Sequence, residues 1–154
     1  MAVYTEVSTS EADALLQALQ LGTLTELKGC SGGIENTNYF ASTSRNTDHA
    51  PYVLTLFERL SAQQLPFYLR LMKHLAQRGI PVPEPHADSS GELVFALKGK
   101  PAAVVDKLRG RSELAPQENH CAQVGAMLAR MHLAGQDFEL TQPNLRALPW
   151  WNET

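Results

Sequence analysis

Residues 51–58, PYVLTLFE, alternate two sets of side chains, Tyr52/Leu54/Leu56 and Val53/Thr55/Phe57, and both sets are almost wholly apolar. Successive side chains of a strand point to opposite faces, so a strand written this way must be covered on both. A chain that contains it folds in layers around an interior strand. Thr55 is the polar exception, and two readings stand for it: a buried hydroxyl satisfied by backbone, or a group facing a cleft.

The rest of the chain supplies the layers. Ser8 and Glu11 have capping-box spacing, and Ala12, Leu15, Leu16 and Leu19 follow as one apolar stripe that ends before Gly22, which predicts a short amphipathic helix. Extended segments are predicted at residues 23–28, 34–43 and 52–58, the last two separated by the polar turn SRNTDHA. Connections this short favour antiparallel neighbours. Leu65-Pro66 opens a second helix that keeps helical spacing to Gly79, and IPVPEP cannot continue it. Residues 92–97 and 101–108 are two more predicted strands, joined by the turn KGK. The expected class is α+β: a five-stranded antiparallel sheet with helices segregated to one side. After the charged stretch LRGRSELAP, a helix from Pro116 and Glu118 aligns Cys121, Val124, Gly125, Leu128, Met131 and His132 on one face. One helix cannot form a core, so this second unit is expected to be incomplete, with Leu128 and Met131 uncovered and prone to associate.

Composition excludes several classes. Of 154 residues 44% are hydrophobic and 19% charged, which suits a packed soluble domain. A net charge of −3, with no basic cluster, argues against a nucleic-acid partner, and no apolar window reaches the roughly 18 residues of a membrane span. With no leader pattern the cytoplasm is the expected compartment, so the sequon at Asn152 carries no weight. Cys30 and Cys121 are expected to be reduced thiols, and the five histidines lack zinc-site spacing, so no metal ligand is assigned.

The stretch KGCSGGIENTN lies between two predicted strands. Gly32 and Gly33 are expected at a hairpin tip with φ > 0, bringing N–H groups to a ligand, while Ser31, Asn36 and Asn38 add neutral donors; an ordinary glycine turn is the competing account. No Walker A pattern follows. His132 reads as a packed histidine or a proton-transfer group, and Trp150-Trp151 as packing or the cap of a pocket.

Taken in order, GIENTNYF, YVLTLFE, LPFYLRLMKHLAQRGIPVPEP, GKPAAVV and HCAQVGAMLARMHLAG resemble the bacterial homoserine kinases of the aminoglycoside-phosphotransferase and protein-kinase-like fold. That resemblance implies a kinase-like amino-terminal lobe over residues 1–108, and over 109–154 the exit from the hinge and the first helix of a carboxy-terminal lobe. It implies ATP, Mg²⁺ and L-homoserine as ligands. It places Ser31, Gly32, Gly33, Asn36, Thr37 and Asn38 in the loop and strand covering the nucleotide, and Val53 above the adenine with Thr55 two residues on. Val105, Asp106, Lys107 and Leu108 become the hinge, where the Asp106 carbonyl and Leu108 N–H meet the purine edge. Pro101, Ala102 and Ala103 would line the back of the cleft.

Two departures stand out. Kinases carry a strand lysine where this chain has Thr55, and the helix over residues 65–78 offers no acid to pair with one; Lys28 and Arg59 are the cations at hand to compensate. The His-Gly-Asp catalytic loop and the metal-binding Asp are missing, so no catalytic residue is assigned here, the metal ligands are expected beyond Thr154, and the 154-residue chain alone is expected to be inactive. The alternatives are another small-molecule kinase of this fold, or a non-catalytic nucleotide-binding or interaction module.

Overall fold

The structure is a computed structural model and describes residues 3–32, 35–45, 51–144 and 147. Among these, the elements are α1 (Thr9–Ala18), β1 (Leu24–Gly29), β2 (Asn36–Thr43), β3 (Tyr52–Phe57), α2 (Leu65–Gln77), β4 (Phe95–Leu97), β5 (Lys100–Asp106) and α3 (Glu118–Ala134). The five strands form one antiparallel sheet in the order β1-β2-β3-β5-β4, with β3 at its centre as its two apolar faces require.

Local chemistry accounts for the element ends. The capping box forms: Glu11 N–H donates to Ser8 Oγ at 3.3 Å and Ser8 N–H to Glu11 Oε2 at 3.0 Å. Hydrogen bonding from Lys98, then from Ser8, holds the Glu11 carboxyl down at about 2. The β4–β5 turn is two residues long, and Lys98 (φ 54) and Gly99 (φ 72) are both left-handed, the geometry whose twist matches a tight hairpin. β4 starts three residues later than predicted, and the Glu92 carbonyl instead accepts the Asp88 N–H across a local turn at 3.0 Å.

Cross-strand partners share a face, so the register divides the sheet cleanly. Tyr39, Ala41, Leu54, Leu56, Ala102 and Val104 are buried together with Ala12 and Leu16 of α1. The other face carries Phe40, Val53, Thr55 and Ala103, and α2 sends Leu65 and Leu69 against Ala103 there. The helices therefore cover both faces, not one as expected, because β3 is apolar on both. Ala102 consequently points away from the face that Ala103 occupies, and the two do not line one cleft wall. Burying the wholly enclosed Leu16, Leu54 and Leu56 stabilises this packing by about 2 kcal/mol each.

Beyond Asp106 the chain leaves the sheet. α3 buries none of its residues: Val124, Leu128 and Leu133 are exposed, while Met131, expected to be uncovered with Leu128, is half-buried. His132 is exposed as well among the described residues.

Candidate nucleotide site

β1 and β2 diverge at Gly29, and the Cys30 N–H closes the base of the connecting loop on the Asn38 carbonyl at 2.9 Å. Beneath the loop opens a cavity of about 510 Å³. Lys28 and Gly29 line it from β1, Cys30, Ser31 and Gly32 from the loop, Asn38 and Phe40 from β2, and Val53 from β3. Gly32 does not take the expected positive φ; a Cβ there would meet nothing within 4 Å, so its backbone is simply bare towards open space. Gly33 lies outside the described residues, as do Trp150 and Trp151.

The other expected residues divide by strand alternation. Asn38 and Thr55 sit opposite each other across β2 and β3, and the Thr55 hydroxyl donates to Asn38 Oδ1 at 2.7 Å. The half-buried Thr55 is thus satisfied by a side chain, not by backbone, and on the cavity face. Asn36 is half-buried at the start of β2 and does not line the cavity. Thr37, assigned with them, lies on the opposite face: it is wholly buried, its hydroxyl donates to Glu58 Oε1 at 2.6 Å, and it accepts the N–H groups of Tyr4 and Thr5. Adjacent strand residues cannot both face the nucleotide, and Asn38 holds that side.

At the hinge, Val105 pairs with Val53 and shares its face. The Asp106 side chain is turned the other way, 2.7 Å from His86 Nε2, and its N–H donates to the Glu84 carbonyl. Lys107 gives its N–H to Pro51 O and folds its ammonium over the Phe40 ring, 4.3 Å from the centroid. Leu108 is exposed.

Phe40 and Cys30 were not among the expected residues. Alternation along β2 was sufficient to find Phe40, two residues beyond Asn38 on the same face, and its partner Lys28 follows from the β1–β2 register. Cys30 is half-buried, and burial pushes its thiol pKa up. Of the two cations proposed to compensate for the strand lysine, Lys28 reaches the cavity wall, while Arg59 is exposed beside Glu35 at 4.0 Å and lines no part of it. Among the described residues no carboxylate lines the cavity, and none form a cluster of three His, Cys, Asp or Glu suited to a metal.

A glycine-bearing loop over a cavity on an antiparallel five-stranded sheet, followed by an exposed connection and a helix, is the layout of a kinase amino-terminal lobe, and residues 26–154 match the model of the phosphotransferase enzyme family. The chain belongs to that family. Over all 154 residues it is 67% identical to a homoserine kinase of Polaromonas naphthalenivorans and 56% to one of Cupriavidus pinatubonensis. It covers 48% and 47% of those proteins, so it spans about half the length of the curated relatives it matches. Among solved structures, an amicoumacin kinase in complex with AMP-PNP, Ca²⁺ and its ligand superposes with a TM-score of 0.62 at 21% identity, over 84% of this chain and 41% of that one, which establishes the shared fold. No described helix of this family member is long and apolar enough to cross a membrane.

Proposed function

We propose that this chain is the nucleotide-binding half of a cytoplasmic homoserine kinase, which transfers the γ-phosphoryl group of ATP to the hydroxyl of L-homoserine. The observation that carries the reading is 67% identity to a homoserine kinase across every residue of the chain. The cavity fits the part this half plays. Bare backbone at Gly32 and the Ser31 hydroxyl suit phosphate oxygens, which accept hydrogen bonds but present no donors of their own. Phe40 and Val53 offer an apolar surface to the base, while the Asp106 carbonyl and Leu108 N–H, assigned to its hydrogen-bonding edge by the family resemblance, are not among the described residues lining the cavity. A divalent ion, Mg²⁺ in the cell, would neutralise the phosphates, and on this reading its ligands and the base that orients the homoserine hydroxyl are assigned to the other half of the protein.

The test is steady-state phosphorylation by the full-length protein with homoserine, choline, a hexose and an aminoglycoside as acceptors. Homoserine is expected to give by far the highest kcat/KM, and the 154-residue chain alone no turnover. Preference for another acceptor would overturn the substrate assignment, and turnover by the isolated chain would overturn the division of labour.

A further inference from the structure

The cavity face has Thr55 where the general kinase pattern puts a lysine, and a hydroxyl supplies no positive charge. What it does instead follows from its hydrogen bond. Thr55 Oγ1 donates to Asn38 Oδ1 at 2.7 Å, which fixes which end of the amide faces β3. The backbone of Asn38 is held too, since its carbonyl accepts the Cys30 N–H at 2.9 Å. Its Nδ2 is then the free end of the group. Among the described residues Nδ2 has no hydrogen-bond partner, and it is not a buried orphan, because Gln142 Nε2 is the single atom of that kind; the amide nitrogen is therefore reached by solvent, on a residue that lines the cavity. Two N–H donors stand there, pinned at side chain and backbone, while Thr55 itself does not reach the lining.

We propose that Thr55 is a positioning residue that turns the Asn38 amide so that its Nδ2–H donates to an ATP phosphate oxygen, a neutral donor taking over the contact of the missing strand ammonium. The inference rests on the reading of this cavity as a nucleotide site. A preorganised donor loses little freedom on binding, which offsets part of what the absent charge would contribute.

The experiment measures ATP and adenosine affinity of the full-length protein by equilibrium dialysis, for the parent and for Thr55→Val, Thr55→Ser, Asn38→Ala and the Thr55→Val/Asn38→Ala double variant. Thr55→Val is expected to weaken ATP about tenfold, the scale of one hydrogen bond to a charged group, and to leave adenosine within about twofold. Thr55→Ser keeps the hydroxyl and is expected to restore ATP binding, so a general packing defect would show itself by failing to separate Ser from Val. In the Asn38→Ala background, Thr55→Val is expected to add nothing. Parental ATP affinity in Thr55→Val, equal losses for adenosine and ATP, or full additivity in the double variant would overturn the proposal while leaving the nucleotide site intact. Failure of the parent protein to bind either compound would instead remove the site reading itself.

Discussion

Thr37→Val tests how the fold holds its amino-terminal strap. The substitution keeps shape in a site of zero exposure but deletes a hydroxyl that receives two N–H groups, from Tyr4 at 3.0 Å and Thr5 at 3.1 Å, and donates to Glu58 Oε1 at 2.6 Å. Two neutral bonds at about 1 kcal/mol each and one to a carboxylate at about 2 kcal/mol bound the loss near 4 kcal/mol. Tyr4 is 58% exposed, so water recovers part of this when the strap lifts, and about 2–3 kcal/mol is expected. The Glu58 carboxyl adds a pH signature. Burial works to raise its pKa, but the Lys100 ammonium and the hydroxyls of Thr37 and Thr5 outweigh burial and hold it below the usual carboxylate range. A folded pKa below the unfolded one contributes stability above the unfolded value, about 4.3, that is lost as pH falls through the folded value. The deficit of Thr37→Val should therefore be constant between pH 7 and about 5.5 and shrink below about 4. Hydrogen exchange over residues 3–8 of the full-length protein, with denaturant unfolding alongside, reads both effects. Unchanged exchange in the strap, or a deficit that grows in acid, would refute the reasoning.

Gly22 and Gly79, two of the four described glycines with positive φ, separate strain from crowding. At Gly22 (φ +100) a Cβ would meet Arg45 Cγ and Ser44 Oγ at 3.0 Å, whereas at Gly79 (φ +73) it meets nothing within 4 Å. Gly79→Ala is expected to cost about 1 kcal/mol in denaturant unfolding and Gly22→Ala about 2–3 kcal/mol; equal costs would show that the contacts at Gly22 are immaterial. Cys30, with its thiol pKa raised by burial and its side chain on the cavity wall, should be alkylated slowly at pH 7 by iodoacetamide, faster as pH rises, and more slowly when ATP is present. Mass spectrometry follows the modification, and an alkylation rate unchanged by ATP would sever Cys30 from the nucleotide cavity.

The parts of this fold written in local sequence were legible, and the parts set by facing were not. Ser8 and Glu11 announce the start of α1 because a cap is satisfied within four residues, and Gly99 marks the β4–β5 turn because a left-handed position suits glycine. The sheet, its strand count and the kinase-like layout followed from apolar alternation and from the order of five motifs. The candidate site was legible as a segment, not as a surface. Asn38 and Thr37 look equally suited to a ligand in a string of letters, and only the register of β2 against β3 sends one to the cavity and the other to Glu58.

By itself, then, the chain's order of residues determined which stretches are extended or helical, since propensity, caps and turns act between neighbours, and it determined the family through similarity. Tertiary structure alone decided that α1 and α2 take opposite faces of the sheet, that Lys107 folds over Phe40, and that Thr55 meets Asn38 from 17 positions away. Those contacts join residues distant in the chain. They come from burying the two apolar faces of β3 at once, a condition that no local window contains.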